Sequence, residues 1–154
     1  MPSCSDKPLW DLWLGSYVLP CVTAADETGL FDSLAAEPAG ASELAARLGL
    51  NLRAVEIFLP VLASSGFLAL RLGRYHLSDV SRHYLLRSSA FYWGGVLQSG
   101  LLQSPTHAAL KAALCGGAAA PGERPAAAWA SGKLGAAQAR GLARFMHSHS
   151  LAAA

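Results

Sequence analysis

Between Gly40 and Ser78 the chain carries two helical patterns, a glycine after each, and two short apolar runs split by a hairpin-sized gap. Gly40-Ala41-Ser42-Glu43-Leu44-Ala45-Ala46-Arg47-Leu48 turns Leu44, Ala45 and Leu48 inward. Gly49 follows, a residue that enters the left-handed region after a helix without steric penalty, and Asn51 stands where its side chain can cap a second helix. The second pattern has Leu52, Val55, Leu59 and Leu62 as its stripe, widened by Ile57, Phe58 and Val61, and it stops at Gly66. Pro60 lies inside it and removes the bond to the Glu56 carbonyl, which predicts a bend. Two apolar runs then flank Leu72-Gly73, and Ser78 caps a short helix carrying Val80, Tyr84 and Leu85. The expected fold is mainly α, a winged helix-turn-helix with a small β-hairpin wing and extra helices at both ends.

Upstream, Pro8 opens a helical pattern in which Leu9, Trp10, Leu12, Trp13, Leu14, Tyr17 and Val18 cover most of the circumference. A helix apolar all round needs contacts on both sides. Pro20 is expected to kink or break it, with a second segment running from Cys21 to Thr28 and stopping at Gly29. The surplus aromatics are explained either by homodimerisation or by burial within the chain's own domain. Leu30, Phe31 and Leu34 form a further apolar turn, ended by Pro38 and Gly40.

Downstream, a segment beginning at Ser88 to Phe91 continues through Trp93, Val96, Leu97, Leu101 and Leu102, with Gly94-Gly95 allowing close backbone approach. A helix from Pro105 through Leu110 and Leu114 ends at Gly116-Gly117, followed by an Ala/Pro/Gly linker whose single large anchor is Trp129. A last helix from Leu134 or Ala136 carries Leu142, Phe145, Met146 and Leu151. The expected organisation is a domain over 1–103 and a helical extension over 104–154.

Chemistry is sparse. With 53% hydrophobic and 14% charged residues the chain can bury a sizeable core, and its net charge of +2 comes without a basic run. Cys4, Cys21 and Cys115 form no CxxC pair, and the five histidines have no metal-ligand spacing, so no disulfide framework and no metal site are expected. No glycine-rich dinucleotide, phosphate-loop, serine-elbow or zinc-protease motif is present. Asp11 interrupts the apolar run from Leu9 to Val22, no stretch reads as a membrane span, and a cytoplasmic location is expected. A DNA-binding regulator would have to use Arg53 and Arg74, since the outward face of the second helix offers little beyond Asn51, Arg53 and Glu56, and the wing only Arg71 and Arg74.

Ala24-Ala25-Asp26-Glu27-Thr28-Gly29-Leu30-Phe31-Asp32-Ser33-Leu34, the run from Ser42 to Leu50, Leu62-Ala63-Ser64-Ser65-Gly66-Phe67-Leu68, Arg74-Tyr75-His76-Leu77-Ser78 and Ser81-Arg82-His83-Tyr84-Leu85 together resemble a known family. It is the amino-terminal dimerisation domain of S-adenosylmethionine-dependent O-methyltransferases, similar to hydroxyindole, caffeic acid and polyketide O-methyltransferases. The resemblance implies that the winged helix interlocks two subunits instead of reading DNA, with Trp10, Trp13 and Tyr17 at the interface. It also implies a carboxy-terminal Rossmann-like domain that binds S-adenosylmethionine and supplies the catalytic histidine. That domain is absent from these residues, so the chain is expected to be truncated before it, with neither cofactor site nor catalytic residue of its own. On the last helix Leu142, Met146 and His149-Ser150 match a family pattern, which makes Leu142, Met146 and His149 candidates for the pocket of a small aromatic hydroxyl acceptor. The implied partners are a second copy and that acceptor, with no nucleic acid and no membrane. A stand-alone winged-helix DNA-binding regulator or protein-interaction module is the alternative.

Overall fold

A computed structural model of the chain describes residues 5–98 and 105–117, with positions 132, 135–137, 139–140 and 143. Contacts divide the chain into one unit over Trp13–Ala119 and another made of Met1–Leu12 and Ala120–Ala154. Nearly all the described elements belong to the first. In order they are α1 (Lys7–Glu27), α2 (Leu30–Ala36), α3 (Ala41–Leu48), α4 (Leu52–Ser64), β1 (Leu68–Arg71), β2 (Arg74–Leu77), α5 (Asp79–Tyr84), α6 (Gly94–Leu97) and α7 (Pro105–Leu114).

The helix-turn-helix forms as its punctuation predicts. At the start of α3 the Gly40 N–H donates to Glu43 Oε2 at 3.0 Å. Gly49 ends the helix at φ 64°, and the Leu50 N–H reaches back to the Ala45 carbonyl at 2.9 Å. Asn51 Oδ1 accepts from the Ala54 N–H at 3.0 Å and so caps α4. The end of α4 is closed by paired reverse bonds, Gly66 N–H to the Ala63 carbonyl and Phe67 N–H to the Leu62 carbonyl, with Gly66 at φ 82°. The chain emerges directly into the wing.

β1 and β2 pair antiparallel, with Leu68 opposite Leu77 and Arg71 opposite Arg74. The turn residues Leu72 and Gly73 both take positive φ, 49° and 77°, as a two-residue hairpin of the type I′ class requires. A single bridge from the Tyr75 N–H to the Ala39 carbonyl at 2.8 Å adds the α2–α3 connection to the wing's edge. The core lies between these pieces. Leu30, Phe31 and Leu34 of α2, Leu44 of α3 and Val55, Leu59 and Leu62 of α4 are at most 1% exposed, with Leu68 and Leu77 closing it from the wing. Each such side chain contributes roughly 1.5–3 kcal/mol by leaving water. α7 joins through buried Leu114, whose carbonyl accepts from the Asn51 N–H at 2.8 Å.

Several expectations are corrected. α1 runs unbroken through Pro20. Proline removes the bond to the carbonyl of Ser16, an exposed residue, while burial of Pro20 to Asp26 holds the following turns. The all-round apolar pattern of α1 does not bring contacts on both sides along its whole length. Burial changes along the axis instead, with Pro20–Asp26 inside and Leu9, Leu12, Trp13, Leu14, Tyr17 and Leu19 exposed. On α4 the buried stripe is Val55, Phe58, Leu59 and Leu62 only. Leu52, in the first turn, is 43% exposed, and Ile57, two positions from both Val55 and Leu59 and so on the opposite face, is 65% exposed. The segment expected from Ser88 to Phe91 onward is a run of turns followed by the short α6, and Leu101 and Leu102 lie outside the described residues.

Candidate functional site

α5 is anchored before it contributes anything to a surface. The Ser81 N–H is capped by Ser78 Oγ at 3.3 Å, and the buried Ser81 Oγ donates to the Phe67 carbonyl at 2.6 Å, which ties α5 to the root of the wing. That placement brings Val80, Tyr84 and Leu85 to a cavity of about 480 Å³ shared with Val18, Leu19 and Val22 of α1, Phe67, Trp93 and Leu97. The lining is almost wholly apolar. Apart from the Tyr84 hydroxyl and the Trp93 indole N–H, the lining offers no polar side chain and no charge to orient a polar ligand; it can take apolar side chains. Beside it, the exposed half of α1 presents Trp13 and Tyr17 edge to face, with ring centroids 5.9 Å apart. Trp13 and Tyr17 are exposed, at 40% and 47%, and Trp10 is partly buried with its Nε1–H donating to Asp6 Oδ2 at 2.9 Å. Leu142, Met146 and His149 lie outside the described residues.

Two polar clusters frame the inner half of α1, and neither is among the residues singled out from the sequence. Asp26 is 2% exposed and accepts from Tyr92 Oη at 2.6 Å and Gln98 Nε2 at 2.8 Å. Burial, then the bond to Asp26, raises the Tyr92 phenol above its ordinary range, against the lowering effect of the Arg87 guanidinium. Next to it, Glu27 Oε2 accepts from His107 Nε2 at 3.1 Å and Lys111 Nζ at 2.8 Å, joining α1 to α7. Asp26 and Glu27 follow a buried apolar turn of α1, and an acid placed there needs a partner. Nothing in the sequence says which.

The two DNA-contact candidates are placed differently from each other. Arg74 is drawn onto its own domain, with Nη2 2.9 Å from Glu43 Oε2 and Nε donating to the Pro38 carbonyl at 3.1 Å. Arg53 is exposed on α4 beside Glu56 and Ile57, a face with no concentration of positive charge. Among the described residues no group of three or more His, Cys, Asp or Glu could hold a metal ion, and no helix is long and apolar enough to cross a membrane.

A family model described as the O-methyltransferase dimerisation domain matches residues 10–87, half of the chain. The chain belongs to the O-methyltransferase dimerisation-domain family. The span takes in Trp10, Trp13, Tyr17 and the groove residues from Gly15 to Leu85. Among relatives of this dimerisation domain, a 3-hydroxy-5-methyl-1-naphthoate 3-O-methyltransferase from Streptomyces sahachiroi is 44% identical over 90 residues, covering 58% of this chain and 26% of the relative. An O-methyltransferase family 2 protein from Planctomyces limnophilus, solved in complex with apigenin, superposes with a TM-score of 0.63 at 29% identity, covering 75% of this chain and 35% of its own. Human N-acetylserotonin methyltransferase, solved in complex with SAM, gives a TM-score of 0.55 at 28% identity, covering 64% and 31%. The chain thus spans about a quarter of the curated relative and about a third of each solved structure.

Proposed function

We propose that this chain is the homodimerisation and acceptor-pocket-forming part of an S-adenosylmethionine-dependent O-methyltransferase, whose methyl-donor site and catalytic base lie outside these 154 residues. The observation that carries the reading is the dimerisation-domain match over a span that leaves the aromatic half of α1 and an apolar groove uncovered. A second copy is the occupant favoured for both, because the family span is continuous with them. In this reading residues 1–103 associate, and residues 104–154 lead towards the donor domain and present Leu142, Met146 and His149 to the acceptor. The acceptor class follows from the relatives' names, which carry a naphthoate and apigenin. A small hydroxylated aromatic fits both.

Light scattering of the chain tests association directly. A particle of twice 16.0 kDa is expected, and Trp13→Ser shifts it towards the monomer. A chain that is monomeric at every accessible concentration overturns the reading, and a dimer untouched by Trp13→Ser removes that residue from the interface.

A further inference from the structure

Both oxygens of one buried carboxylate are taken by the residues that flank α6. Tyr92, just before the helix, donates to Asp26 Oδ1 at 2.6 Å, and Gln98, just after it, donates to Asp26 Oδ2 at 2.8 Å. Gln98 Nε2 also reaches the Tyr92 oxygen at 3.2 Å, and Arg87 Nη2 donates to the Asp26 carbonyl at 2.7 Å. α6 itself spans only Gly94–Leu97, too short to be held by its own hydrogen bonds. Its approach to Tyr92 is also tight, since a Cβ on Gly94 would fall 2.1 Å from the Tyr92 ring. The position of this segment is therefore imposed from outside. Between the two bracketing residues lie Trp93 and Leu97, which line the groove.

We propose that Asp26 is a positioning residue for that groove: its carboxylate draws Tyr92 and Gln98 together and so fixes the wall formed by Trp93 and Leu97. Burying a carboxylate is costly unless its lone pairs are filled, and here they are filled by donors from the two ends of one wall. Losing the carboxylate frees both ends together. The consequence for self-association rests on the dimer reading given above.

Asp26→Asn keeps the shape of the side chain but removes its charge and turns an amide N–H₂ towards one of the two donors, so that partner must reverse its role or lose its bond, and the bracket is weakened. Tyr92→Phe keeps the ring against Gly94 and removes only the hydroxyl, and carries the test if Asp26→Asn fails to fold. Amide hydrogen exchange read by mass spectrometry is expected to rise by about tenfold or more over residues 92–98, with α4 unchanged, and the dissociation constant from sedimentation equilibrium to rise by about tenfold. Unchanged exchange over 92–98, or an equal rise along the whole chain, overturns the bracket. Loosened exchange with an unchanged dissociation constant overturns its link to the groove. A wild-type chain that never associates overturns the dimer reading instead, while the exchange measurement still decides whether Asp26 holds the wall.

Discussion

At the tip of the wing, Leu72 holds φ at 49° with its side chain wholly in solvent. A left-handed backbone costs a branched L-residue about 1–2 kcal/mol, and nothing packs on Leu72 to offset it. Asn tolerates that region, and Asn-Gly is the favoured pair for a type I′ turn. Leu72→Asn should therefore stabilise the chain by about 1 kcal/mol in urea unfolding. A loss of stability would show that the turn has another form in solution. Residues of this kind are legible in sequence because they act on neighbours only a few positions away. Gly49, Asn51, Gly66 and Ser78 each do what their position predicts. Asp26 is the opposite case, for its donors Arg87, Tyr92 and Gln98 lie 61, 66 and 72 residues further on, a distance no local pattern spans.

Elements differ in the same way. α3, α4 and the wing were readable because each is bounded by its own caps and turns, whereas α1 is shaped by what it meets. Its proline predicts a kink or a break, and the break does not form where buried neighbours hold the following turns, while its even spread of apolar residues hides a change from wet to dry along its length. The α1–α7 junction is likewise tertiary. Burial pushes the Glu27 carboxyl up, but the Lys111 hydrogen bond and the charges of His107 and Lys111 outweigh it, so the group lies below its ordinary 4.5. A carboxylate depressed on folding stabilises above its unfolded value and loses that contribution as pH falls through the folded one. Glu27→Gln is thus expected to be less stable than the parent at pH 7, with the gap narrowing as pH drops below 4.5. Urea titrations across that range check it, and a gap that persists in acid would assign the loss to packing.

For the whole molecule, the fold and the family were within reach of the sequence, because ordered local signals over half the chain define both. The groove was not, since its walls come from α1, the root of the wing, α5 and α6, which meet only after folding. Among the described residues the last turns of α1 are buried and Leu9, Leu12, Trp13, Leu14 and Tyr17 of its first turns are exposed, a surface that a second copy would cover in the dimer reading. Mass action then enters the melting curve. The midpoint of thermal unfolding should climb as chain concentration rises from about 1 to about 100 µM, and a flat midpoint would mean that the uncovered turns gain nothing from company. Under such a dependence the supply of the polypeptide becomes a determinant of its own thermal endurance: scarce copies melt early, and abundant ones protect each other.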